Sequence, residues 1–184
     1  MTQQIRDSLF YEGKEYYLNN EILEYYFNEF PEHRPEYTGA FSACWRGYVA
    51  FFEIKDNKLL IKNVKWMFSK ENKIHKLKDL FPNTKFDWFS GLIRIDDFRG
   101  EYDDENNEEA IYELLEIREG NLINHWKLNF EEFNDFKEIL FRDFKTTTDY
   151  EKLFLKWKNN NPGITETQID LYIFHNIIYN VRKI

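Results

Sequence analysis

The sequence predicts an α+β fold: a mainly antiparallel sheet of hairpins, with C-terminal helices packed on one face. Three observations predict it. Apolar runs of strand length recur in pairs around short polar turns, the clearest being residues 44–54 and 59–61 on either side of Lys55-Asp56-Asn57-Lys58. The last third of the chain carries Phe, Leu and Ile at helical spacing behind capping residues. Strands and helices do not alternate regularly, which favours antiparallel pairing over βαβ units. The sheet is expected from residues 9–18, 43–66, 88–95 and 111–128, with helices 20–30 and 130–182 covering one face. Residues 1–145 read as the α+β domain, and 146–184 as a helical extension on the same core.

In chain order, Leu9-Phe10-Tyr11 and residues 14–18 flank Glu12-Gly13, a small hairpin. Asn19 or Asn20 can cap a helix with Leu23, Tyr26, Phe27 and Phe30 on one face, and Pro31 stops it. Residues 44–54 follow, with Cys44, Arg46, Tyr48, Ala50, Phe52 and Ile54 on one parity and Trp45, Val49 and Phe51 on the other. Both parities are apolar, so a strand covered on both sides is expected, and Gly47 within it suggests a bulge or a close approach. Ile74, Leu77, Leu80 and Phe81 fit a helix closed by Pro82, and 88–95 fits a third strand. Residues 111–128 form another hairpin around Arg118-Glu119-Gly120-Asn121. Residues 51–60 and 114–123 match in type everywhere except the third and fourth turn positions, so units 43–66 and 111–128 look like a repeat; any two amphipathic hairpins share some of this pattern. Asn129 with Glu132, Thr148 with Glu151 and Thr165 with Gln168 have capping-box spacing. The last helix, to Val181, is apolar nearly all round, as a central or partner-docking helix would be.

The charge is −8 and uneven. Residues 55–99 are basic, whereas 100–140 hold thirteen acidic and three basic side chains. An acidic balance opposes binding to nucleic acid or anionic membranes, so nucleic acid is not the expected partner despite Lys62, Lys65, Lys70, Lys73, Lys76, Lys78 and Lys85. No apolar run is long enough to span a bilayer, the N-terminus lacks a signal-peptide core, and the single cysteine Cys44 allows no internal disulfide. These readings imply a cytoplasmic protein with no membrane contact.

Arg46 is the residue that most needs explaining, because an unpaired buried guanidinium is costly. It either pairs with Glu53, Glu113 or Glu116, or binds a phosphate or carboxylate ligand in an aromatic cleft with Trp45, Tyr48, Trp88, Ser90 and Arg94. Cys44 with His125 or His175 is a conceivable nucleophile and base, but a cysteine in an apolar strand is more simply an inert core residue. Glu53 and Glu116 occupy matching hairpin positions and read as strand-end charges paired to the basic residue two positions on. His spacing suits no metal, and no phosphate loop, nucleophile elbow or other catalytic signature is present, so neither metal nor cofactor is expected and the chain leans away from being an enzyme. The expected function is an acidic inhibitor or immunity-type interaction protein, capturing a basic protein partner through Asp103, Asp104, Glu105, Glu108 and Glu109. The alternative is a small-ligand or phosphate-binding domain, or an enzyme, built on the Arg46 cleft.

Overall fold

The computed structural model describes residues 4–34, 42–67, 78–95 and 110–181. The acidic stretch with Asp103, Asp104, Glu105, Glu108 and Glu109 and residues 74–77 of the expected 74–81 helix lie outside the described residues, and residues 78–80 are helical. Seven strands form one sheet: β1 (Asp7–Tyr11), β2 (Lys14–Leu18), β3 (Tyr48–Lys55), β4 (Lys58–Trp66), β5 (Gly91–Arg94), β6 (Tyr112–Arg118) and β7 (Asn121–Leu128). Their spatial order is β2-β1-β3-β4-β7-β6-β5. Pairing is antiparallel except where β3 lies parallel beside β1. The helix α1 (Ile22–Glu29) lies in the connection from β2 to β3.

The turn residues Glu12-Gly13, Asp56-Asn57 and Glu119-Gly120 all take positive φ. Such turns match the right-handed twist of the strands they join. The sheet curls into a barrel-like form, bringing the Tyr11 ring of β1 within 5.6 Å of the His125 ring of β7. Its concave side, α1 and the segment through Phe81, Phe86 and Phe89 make one core.

The two long hairpins meet tip to tip. Lys58 pairs with Asn121, Leu59 N donates to Gly120 O at 2.8 Å, and Leu122 N donates to Asn57 O at 2.8 Å. Under the alignment of 51–60 with 114–123 these partners are equivalent, so the junction has local two-fold symmetry. The symmetry ends one step further out. The extra residue of the β-bulge is Lys62 in the first hairpin and Ile123 in the second.

Helices do not all cover one face. On β6, Leu115 and Ile117 enter the α1 core, whereas Tyr112 and Leu114 enter a second core with α2 (Phe130–Phe144), α4 (Glu166–His175) and α5 (Ile177–Asn180). Alternating side chains thus bury both faces of β5 and β6, with α1 on one side and the C-terminal helices on the other. The outer face of β1–β2 stays open, with Phe10 and Tyr17 exposed.

Asn129–Glu132 and Thr165–Gln168 are complete capping boxes. Thr147, not Thr148, caps α3 (Thr148–Asn160), its Oγ1 accepting from Tyr150 N. The Thr148–Glu151 spacing therefore set the cap one residue too far along the chain. The expected last helix breaks at Asn176, whose Nδ2 donates to Tyr172 O. Ile169, Ile173, Ile177 and Ile178 are buried, but Leu171 and Tyr172 face solvent, so this segment is covered on one side only.

Candidate functional site: the Arg46 network

Arg46 does not lie mid-strand. The chain reaches β3 only at Tyr48, after a turn in which Gly47, at φ 75°, donates to Cys44 O. Glycine is used here because the chain reverses with a positive φ. Residues 42–46 are tied to the segment ahead of β1: Ile5 N donates to Ala43 O at 2.7 Å, and Trp45 N to Gln4 Oε1 at 3.2 Å.

This geometry carries the Arg46 side chain inward, to 2% exposure. Nη1 donates to Asp7 Oδ2 at 2.9 Å and Nη2 to Ile5 O at 2.8 Å. Nε faces Glu21 Oε1 at 3.7 Å, and the guanidinium lies 5.3 Å from the centre of the Tyr48 ring. Asp7 Oδ1 accepts from Ala50 N at 2.8 Å, so one carboxylate joins the turn to β3. Tyr48 Oη continues the chain, donating to Glu24 Oε1 at 2.7 Å, and Arg34 Nη2 holds Glu24 Oε2 at 2.5 Å. Two arginines and three carboxylates thus link β1, α1, the turn and β3.

Burial raises the Asp7 carboxyl above its ordinary range, against the pull of the Arg46 charge. Burial likewise raises Glu21, with Arg46 opposing and Glu24 and Asp7 reinforcing. For Arg46 burial works against the charge, but Asp7, Tyr48 and Glu21 outweigh it and the guanidinium is held charged. The Tyr48 phenol is pushed well up by burial beside Glu24 and Asp7.

The partner of Arg46 is Asp7, not Glu53, Glu113 or Glu116. Glu53 pairs with Lys62 across the hairpin at 2.7 Å, and Glu116 with Arg118 at 3.2 Å. Glu113 meets His125 Nε2 at 2.8 Å. The six cleft residues do not converge. Trp45 is half exposed, and Tyr48 and Arg46 belong to the buried network. Trp88 packs edge-on against Tyr26, 5.5 Å between centroids. Ser90 Oγ accepts from Glu119 N at 2.9 Å, fastening a hairpin tip. Arg94 is in the second core, over the rings of Tyr112 and Phe133 at 5.1 and 5.4 Å. Cys44 is buried and donates to Tyr48 O, whereas His125 is engaged with Glu113 and His175 is exposed.

Sequence reasoning missed Asp7, Glu21, Glu24 and Arg34 as members of the network. Asp7 carried the only local signal, a carboxylate opening an apolar strand. Among the described residues no three His, Cys, Asp or Glu side chains are grouped to hold a metal ion, and no helix is long and apolar enough to cross a membrane. No family model matches the chain, and neither a curated protein nor a solved structure matches it.

Proposed function

We propose that this chain is an acidic interaction protein, of the inhibitor or immunity type, that captures a basic protein partner. The observation that carries the reading is a stripe on α2. Glu131, Asp135 and Glu138 recur at helical spacing, all are exposed, and none has an ion-pair partner among the described residues. Exposed Ile139 on the same helix adds an apolar contact beside the charges. The acidic stretch 101–109 runs between β5 and β6, and β6 leads through β7 into α2, so both sources of charge belong to the same half of the chain. An unpaired stripe of one sign gives specificity and a fast encounter with an oppositely charged surface.

The test is capture by the tagged chain, with partners identified by mass spectrometry and binding measured against salt. Reversing Asp103, Asp104, Glu105, Glu108 and Glu109 to lysine, and separately Glu131, Asp135 and Glu138, should abolish or sharply weaken capture of a basic protein. Capture that survives both reversals and is indifferent to salt would overturn the proposal.

A further inference from the structure

The open cleft between α3 and the α4–α5 pair has a volume of about 430 Å³, within the rough range of 300–1,000 Å³ for small-molecule sites. Trp157 and Tyr172 give it an aromatic wall, and Asn160, Asn161, Asn176 and Asn180 give it amides. Lys156 is the one charged group among its described lining residues. It has no carboxylate partner among the described residues.

Helix ends orient two of the amides. Asn161 Nδ2 donates to Trp157 O at 3.1 Å, and Asn176 Nδ2 to Tyr172 O at 2.9 Å. Each keeps its Oδ1 as an acceptor, while Asn160 and Asn180 supply donors and acceptors together. The Trp157 and Tyr172 centroids are 4.1 Å apart, with planes tilted by 52°. Two rings in contact cannot take a flat nucleobase between them. They form an angled apolar wall, which fits the C–H face of a pyranose. A planar amide can accept from one hydroxyl and donate to its neighbour, the pattern that vicinal sugar hydroxyls present.

We propose that this cleft binds a pyranose sugar, with its C–H face on Trp157 and Tyr172, its hydroxyls on the asparagine amides, and a ring carboxylate on Lys156. The site is separate from the acidic stripe and does not depend on it.

The experiment is a titration of the full chain, followed by the Trp157 indole and asparagine amide signals in ¹H–¹⁵N spectra, with glucuronate, glucose and adenosine as probes. Glucuronate should give saturable shifts confined to these signals, with glucose weaker by about tenfold, or 1.4 kcal/mol. Lys156→Ala should level the two sugars and Asn160→Ala should weaken both; both positions are exposed, and unchanged spectra elsewhere will show that the fold is kept. No saturable shift with either sugar overturns the proposal. So does a stronger response to adenosine, or a glucuronate preference that survives Lys156→Ala.

Discussion

Asp7 and Arg46 are 1% and 2% exposed, and each satisfies charge that would otherwise be stranded in the core. Replacing Arg46 by Met leaves the Asp7 carboxylate buried with only the Ala50 amide, a situation that typically costs about 3–5 kcal/mol. Urea denaturation should show a loss of that size, and the double change with Asp7→Leu should be milder than the sum of the two single changes. A loss below about 1 kcal/mol for Arg46→Met would mean the pair is not what holds the turn to β1. That Arg46 needed a partner was legible in the sequence, since an arginine among aromatics announces a buried charge. The identity of the partner was not. Asp7 is distant in sequence and becomes a neighbour only through the parallel β1–β3 pairing, which no local pattern encodes. Asp170 offers a pH test. Burial would raise its carboxyl, but hydrogen bonds from Lys145 at 2.6 Å and Tyr150 at 2.5 Å outweigh that and hold it below 3.8. A lowered folded value means stability that is present above pH 3.8 and is lost as pH falls through the folded value. Asp170→Asn should therefore be less stable than the parent by about 1–2 kcal/mol at neutral pH, and the gap should close in acid. A gap that stays constant into strong acid would contradict this assignment.

At the scale of elements, the hairpins were the most legible part of the chain. Alternation gave their faces, and Asp56-Asn57 and Glu119-Gly120 are turn chemistry in plain view. The way the hairpins join was hidden, because it rests on backbone groups at the two tips. Gly120 is central to that join. At φ 68°, with an added Cβ falling 2.6 Å from both Asp87 Cα and Phe86 O, it can accept no side chain without moving backbone. Gly120→Ala should destabilise by about 3 kcal/mol or more, beyond the roughly 1–2 kcal/mol of left-handed strain alone. Thermal unfolding reads this directly, and a change within about 1 kcal/mol would show that the tips separate easily. An antiparallel junction exchanges its hydrogen bonds reciprocally whatever its sequences, so this local symmetry is not itself a sign of a repeat in residues 51–60 and 114–123. The displaced bulges show that the symmetry extends no further than the tips.

Across the whole molecule, β5 and β6 are the shared wall between two cores. Leu92, Tyr112 and Leu114 look toward the C-terminal helices, and Ile93, Leu115 and Ile117 toward α1. The sequence expectation of helices on one face failed for a physical reason. On β6 the adjacent Leu114 and Leu115 point to opposite faces, and nothing in that pattern says which side each helix takes. The Arg46 cleft failed to assemble for a related reason: residues on separate strands were grouped by chemistry, and the sheet order sends Arg46 and Arg94 to different cores. A wall used by two cores couples them, so the helices after residue 145 should not melt apart from the rest. The direct measurement is urea unfolding of the chain carrying 5-fluorotryptophan, followed by ¹⁹F signals. Trp66 and Trp88 report the first core, and Trp126 and Trp157 the second. We expect all four to change at one midpoint. Two separated transitions, with Trp126 and Trp157 released while Trp66 and Trp88 remain native, would contradict a single coupled fold.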